Sequence, residues 1–245
     1  MSATLRVGFD ATAVARPNPT GIGLSIAHLV RALRDEQQSA ETDLELDVLY
    51  RISRVRRRRH FLPGPYHLFH ERLSVLRARR LTVFHGADSR LPSFSGPALV
   101  TTVHDLSARR PGFASERFRR TRETHWAQVR DRADLVITYT EAVKREITHD
   151  LGLDPSRIAV VPLAATDALA TPPPKAEAKA VALRIAGDRP YVLCLGELSR
   201  RKNTVGAVEA FAAAGASDHA LVLVGPQGRG AEDVEAAISR LGLKE

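Results

Sequence analysis

The chain of 245 residues holds one cysteine, Cys194, and only 5% of it is aromatic. A lone cysteine excludes an internal disulfide framework and any zinc site built on cysteine pairs, so nothing demands an oxidising compartment. The opening segment "MSATLRVGFDATAV" lacks a basic region followed by an apolar core, and no apolar run approaches the roughly 20 residues that span a bilayer. Neither signal-led export nor an integral membrane position is expected, and the cytoplasm is the default location.

What is present describes an ordinary globular chain with one unusual feature. Hydrophobic residues make up 44% and charged ones 26%, and the length suits one large domain or two modest ones. The unusual feature is the sign of the charge, +8 with a pI near 10.2. Much of it sits in "RISRVRRRRHFLPGPYHLFHERLSVLRARR", residues 51–80. A solvated loop followed by the outer face of a helix is the first reading of this stretch. Docking on anionic lipid is the second, because Phe61, Leu62, Tyr66, Leu68 and Phe69 interleave with the cations. Nucleic acid is third, since no helix-turn-helix, zinc-finger or RNA-binding aromatic motif accompanies the charge.

Short apolar runs alternate with helical patterns. Strands are predicted at 5–9, 44–50, 81–84, 98–103, 135–138 and 158–161. Helices are predicted from "GIGLSIAHLVRAL", with Ile22, Ile26, Leu29, Val30 and Leu33 on one face, and over 66–79, 115–132 and 141–150. Alternation of this kind implies βαβ units and a mostly parallel sheet, a Rossmann-like domain over 1–165. A linker is expected over 166–189, where three prolines at 172–174 interrupt regular structure. Residues 190–245 then begin a second unit, with strands near "YVLCL" and "ALVLVG" and a helix over 231–241. Two strands are too few to bury both faces of an open sheet, so this second domain reads as partial.

Candidate site residues gather where strands end, because ligands of open α/β sheets collect beyond the carboxyl ends of the strands. In "GELSRRKN", Arg200, Arg201 and Lys202 fall where a helix should begin, and each cation there is disfavoured by roughly 0.3–1 kcal/mol. An anion such as a diphosphate would be attracted by the side chains and the helix terminus together. A solvated turn whose cations pair with Glu197 is the competing account. In "PNPTGIG", Gly21 and Gly23 allow positive φ and close approach of backbone to a ligand, although a plain helix start also fits and the third glycine of the dinucleotide fingerprint is lacking. "TTVHDLS" puts His104 and Asp105 at a strand end, and "FHGAD" does the same for His85 and Asp88. His104 could equally satisfy a loop carbonyl. "ITYTEAVKREI" adds Thr140 and Glu141, and Thr140 is also a natural N-cap.

Together "TGIG", "VTTVHDL", "ADLVITYTEAVKREI…LGLDPSRIAVVPL" and "PYVLCLGELSRRKN…FAAA…LVLVGPQG" resemble the retaining glycosyltransferases of family 4, also called group 1, over about Leu5 to Leu243. The resemblance implies the GT-B fold, in which one Rossmann-like domain binds a nucleotide-diphosphate sugar and the N-terminal one mostly binds the acceptor across a cleft. It implies transfer of a mannosyl- or glucosyl-type hexose to an acceptor hydroxyl with retention, in glycan, polysaccharide or glycolipid synthesis.

By position, Arg201 and Lys202 match the pair that grips the donor diphosphate, Gly21 and Gly23 the glycine loop near donor phosphates and sugar, and His104 the catalytic cleft histidine. Asp105, Thr140 and Glu141 match cleft or acceptor positions, and His85 is assigned beside them from its own strand end. No Asp-x-Asp occurs in the chain, so the resemblance implies no metal and no cofactor, with protein charge doing that work. The partners implied are a nucleotide sugar and a glycan or lipid-linked acceptor, in the cytoplasm or at the inner membrane face. The family's glutamate pair eight residues apart is missing, so a fragment or truncated relative, inactive by itself or serving as a scaffold, is the alternative expectation.

Overall fold

The computed structural model describes residues 4–18, 20–39, 42–74, 79–165 and 171–243. It divides into two compact units, one formed by Met1–Leu106 with Arg120–Ala164 and the other by Ser107–Arg119 with Ala165–Glu245.

The first unit is built on a seven-stranded sheet, parallel throughout: β1 (Leu5–Asp10), β2 (Leu44–Arg51), β3 (His67–Phe69), β4 (Val83–Gly86), β5 (Ala98–Thr102), β6 (Leu135–Thr138) and β7 (Ile158–Val160). Its order is β3-β2-β1-β4-β5-β6-β7, so the winding reverses between β1 and β4. Helices α1 (Gly21–Gln38), α2 (Glu116–Arg132) and α3 (Glu141–Leu151) accompany it. α1 forms because Gly23, Ile26 and Val30 recur at helical spacing and are buried, and because Thr20 caps it by accepting from the Gly23 N–H. Ile26 and Val30 pack on Phe9, Val48 and Tyr50, each of the two contributing roughly 1.5–3 kcal/mol of burial. α3 starts on the Thr140 cap and stops at Gly152 in the left-handed region.

Two expectations change here. The helix read over 66–79 is not formed in its described part. His67–Phe69 instead extends the sheet beside Leu49–Arg51 as β3, followed by a turn, and 75–78 lie outside the described residues. A three-residue edge strand carries too little periodicity to be read, whereas the free edge of β2 offers it hydrogen bonds. The basic stretch before it is a run of tight 3₁₀ turns, Ile52–His60, with no buried residue. Its apolar neighbours face inward. Phe61 stacks on Tyr50 at 3.7 Å, the Leu62 N–H donates to the Tyr50 hydroxyl at 2.9 Å, and Phe69 is buried. Three of the five apolar residues offered to a lipid surface are thereby turned toward the core.

In the second unit β8 (Tyr191–Leu195) and β9 (Ala220–Val224) pair in parallel. One face is covered by α5 (Thr204–Ala213) and α6 (Ala231–Arg240), through Val205 and Val208 on one helix, Val234, Ala237 and Ile238 on the other, and Leu221 and Leu223 on the sheet. Along the other face runs α4 (Lys175–Ala186), within the interval read as a linker. "KAEAKAVALRIA" is rich in strong helix formers, and the prolines that end regular structure before it also leave a free start. Tyr191, Leu193 and Leu195 stay largely exposed on this side.

Candidate functional site

In the first unit the strand ends converge on the reversal between β1 and β4. Asp10 closes β1 and Arg51 closes β2, and their side chains form an ion pair at 2.9 Å with 5% and 4% exposure. The other oxygen of Asp10 accepts from the Thr12 N–H at 3.0 Å, which turns the chain after β1. Glu71 bridges Arg51 and Arg90, the latter at 2.8 Å. After β4 the chain folds back so tightly that a Cβ on Gly86 would lie 2.1 Å from the Arg90 carbonyl oxygen. Ser89 holds this turn at φ +52°, its N–H donating to the Thr102 carbonyl at 2.9 Å and its hydroxyl accepting from Arg122 at 3.0 Å. Arg122 also meets Asp88 at 2.9 Å.

His104 follows β5. Its Nε2–H donates to the Ala87 carbonyl at 3.0 Å, so the loop-carbonyl account of this histidine holds. Burial, first among the causes, pushes its pKa down and favours the neutral ring, whose Nδ1 is then an acceptor. The ring lies 5.2 Å from that of Tyr139, whose hydroxyl is tied to Ser25 of α1, so the end of β6 is linked to the helix that Gly21 opens. Asp105 is half-buried beside His104, Thr140 is the exposed N-cap of α3 and Glu141 its first residue.

His85, read as a second cleft residue, is 8% exposed. It sits edge-on to Phe9 at 4.8 Å, with Nε2 2.8 Å from the Thr102 hydroxyl, and burial pushes its pKa down to about 4. It is a neutral core residue because the strand pleat turns it inward. Gly21 and Gly23 are both helical, so the positive φ they permit is not used. What Gly21 leaves is room, since a Cβ there would meet nothing within 4 Å.

The second unit presents the three cations on a 3₁₀ turn, Arg200–Lys202, between β8 and α5. They are not equivalent. Arg200 Nε lies 2.6 Å from Asp233 of α6, whereas Arg201 stands 3.8 Å from Glu197, too far for a hydrogen bond, and Lys202 is exposed with no partner among the described residues. Asn203, at φ +52°, does not cap α5 with its side chain. The loop after β8 is zipped to the loop after β9 by Leu198 N–H to Pro226 O at 2.9 Å, Gly228 N–H to Leu198 O at 3.0 Å and Arg200 N–H to Arg229 O at 3.0 Å. That approach requires a glycine at 225, where φ is +157° and a Cβ would fall 1.8 Å from the Gly196 carbonyl oxygen. The geometry fixes Lys202, without a partner among the described residues, and Arg201, loosely paired with Glu197, beside a helix start that no side chain caps, an arrangement suited to an anion.

Parallel sheets with polar strand-end loops, in the order seen here, define an α/β protein of the Rossmann-like GT-B kind. Within that class the chain belongs to Glycosyltransferase Family 4, whose family model matches residues 20–165. HepE of Anabaena, solved with UDP and glucose, is similar at TM-score 0.62 and 17% identity, over 98% of this chain and 67% of that one. A sucrose-phosphate synthase of Thermosynechococcus elongatus gives TM-score 0.62, 17% identity and coverage of 98% and 68%. A glycosyltransferase of Rickettsia africae gives 0.60 and 13%, with coverage of 99% and 66%. The chain thus spans about two thirds of the length of these structures. No curated protein sequence matches it significantly.

Arg51, Arg90 and Arg122 escaped the sequence reading. They are local to nothing in the primary structure, since their partners Asp10, Glu71 and Asp88 lie on other elements.

Proposed function

We propose that the chain serves a retaining hexosyltransferase, moving a mannosyl- or glucosyl-type unit from a nucleotide-diphosphate sugar to an acceptor hydroxyl in glycan, polysaccharide or glycolipid synthesis. The observation that carries the donor half is the pair Arg201 and Lys202 beside the start of α5, with Lys202 free of any partner among the described residues and Arg201 no closer than 3.8 Å to Glu197, while Arg200 is drawn off by Asp233. In this reading the two cations and the N–H groups of α5 take the charge that develops on the departing diphosphate, and no metal is needed. The first unit supplies the acceptor side. There His104, neutral and oriented by the Ala87 carbonyl, presents Nδ1 as an acceptor for a sugar or acceptor hydroxyl. Gly21 leaves space at the α1 terminus for a donor phosphate or sugar.

That HepE was solved with UDP and with UDP-glucose supports a nucleotide sugar as the donor class. Among the described residues no helix is long and apolar enough to cross a membrane. In this reading the transfer takes place in the cytoplasm, on a glycan or on a lipid-linked acceptor at the inner membrane face.

Incubating the chain with uridine- and guanosine-diphosphate hexoses and hydroxyl acceptors, with NMR of the product's anomeric centre, tests this reading. A product of the donor's anomeric configuration, formed equally with a chelator present, is the expected result. An inverted product would overturn retention. Diphosphate binding without turnover would favour the second reading, a relative that binds but does not transfer.

A further inference from the structure

The buried face of α2 carries a charge where a hydrophobic residue is expected. Arg122, Trp126 and Val129 are spaced i, i+4 and i+7 and all three are buried, Arg122 to 9% exposure. A guanidinium withdrawn from water is costly unless its N–H groups are paired, and a packed hydrophobic side chain would close the helix on its neighbours without that cost. Arg122 is therefore to be explained by what it holds. Its guanidinium lies over the Trp126 ring, 5.4 Å from the centroid. One nitrogen donates to the Asp88 carboxylate at 2.9 Å and lies 3.4 Å from the Asp88 carbonyl, and another donates to the Ser89 hydroxyl at 3.0 Å.

Both partners belong to the fold-back after β4. Ser89 stands there at φ +52°, a conformation that glycine adopts without strain and that costs a serine on the order of 1 kcal/mol. The serine brings a hydroxyl that a glycine lacks. Besides accepting from Arg122, this hydroxyl donates to the Thr102 carbonyl at 3.3 Å, beside the Ser89 N–H that donates to the same carbonyl at 2.9 Å. The turn is thus tied to α2 and to the end of β5 at once. Ala87, directly before these two residues, offers the carbonyl that receives the His104 Nε2–H at 3.0 Å. Tyr139 packs the histidine ring at 5.2 Å, but the direction of the ring nitrogens is set by that carbonyl. After burial and the Ala87 carbonyl, Asp88 raises the His104 pKa and Arg122 lowers it, so the ion pair presents opposed charges to the ring.

We propose that Arg122 is a positioning residue for His104: by holding Asp88 and Ser89 it fixes the Ala87 carbonyl, which orients the ring so that Nδ1 is presented to the reacting sugar or hydroxyl. The proposal rests on reading His104 as the cleft histidine. Arg122 acts through three residues and needs no contact with substrate. The planar fork of an arginine suits the task, since it reaches a carboxylate and a hydroxyl on consecutive residues with separate nitrogens. Displacing a reacting group by about 1 Å can cost on the order of a hundredfold in rate, so a helix residue two contacts away from the ring can matter to the reaction. A mere clamp of α2 would leave the His104 bond unchanged when it is cut.

The test follows the Nε2–H proton of His104 by NMR in the full chain labelled with ¹⁵N, at a pH where the ring is neutral, the signal being assigned by its loss in His104→Gln. In the parent this proton should exchange slowly with water, as a donor to a buried carbonyl does. Arg122→Met should speed its exchange about tenfold or more, with the backbone amide spectrum otherwise kept, and Arg122→Lys, which keeps the charge without the fork, should fall between. Asp88→Ala removes a half-buried partner and leaves the buried face of α2 untouched. It should speed the exchange as well, and it decides the matter if Arg122→Met fails to fold. Exchange as slow as the parent's in Arg122→Met or, where that variant is unfolded, in Asp88→Ala would overturn the proposal. Transfer assays of His104→Ala report on the cleft reading separately. Full activity there would sink that reading and leave the link from Arg122 to His104 standing, so the two can fail independently.

Discussion

Asp10 and Arg51, 41 residues apart in sequence, end neighbouring strands and meet at 2.9 Å with almost no exposure to solvent. Removing one member of such a pair leaves an uncompensated buried charge, which costs more than the pair itself contributes. Arg51→Met is therefore expected to destabilise the first unit by about 3–5 kcal/mol, read as a drop in urea midpoint. The double variant Asp10→Asn with Arg51→Met should recover part of that loss. A single variant within 1 kcal/mol of the parent, on the order of a surface pair, would show the ion pair to be solvated.

Acid should weaken the fold through His85. Burial lowers its folded pKa to about 4 from an ordinary 6.5, so between those values the unfolded chain binds more protons than the folded one. The contribution is fully present above pH 6.5, is lost progressively as pH falls, and is gone below about 4. Its size is about 3 kcal/mol from the shift alone. His85→Gln should flatten the stability profile across that window, as followed by urea melts at stepped pH. Parallel profiles for parent and variant would contradict a neutral buried ring.

Two glycines should separate folding from room for a ligand. Gly225→Ala would drive a Cβ into the Gly196 carbonyl at a backbone angle hostile to side chains, so a loss of about 1–3 kcal/mol or more is expected in the second unit. Gly21→Ala meets open space in the first turn of α1 and should be neutral or stabilising by up to about 1 kcal/mol. Thermal melts of both variants decide this, and equal losses would remove the distinction.

Much of the scaffold was legible because buried parallel strands announce themselves locally. The runs at 5–9, 44–50, 98–103 and 135–138 differ from the observed strands by a residue or so at their ends. The run at 81–84 is displaced, as Leu81 packs on Gly8 ahead of a strand that begins at Val83. β3 and α4 were missed for opposite reasons. β3 exists only because β2 offers an edge, and the prolines that precede α4 masked a segment of high helix propensity. At the candidate sites, residue type and strand-end position were readable, but orientation was not. Nothing in "FHGAD" distinguishes His85, packed against Phe9, from a histidine facing the crevice. Nor does "SRRKN" reveal that Arg200 reaches Asp233, which follows it by 33 residues.

That division among the three cations gives the central claim its most direct test. Calorimetric titration of uridine and guanosine diphosphate into the parent, Lys202→Met and Arg200→Ala compares a cation assigned to the diphosphate with one assigned to Asp233. Lys202→Met should bind about tenfold to a hundredfold more weakly, from the loss of a charge-assisted contact of about 1.5–3 kcal/mol, while Arg200→Ala stays near the parent. Equal affinity in Lys202→Met and parent, with the fold intact, would contradict the assignment of this turn to the donor diphosphate.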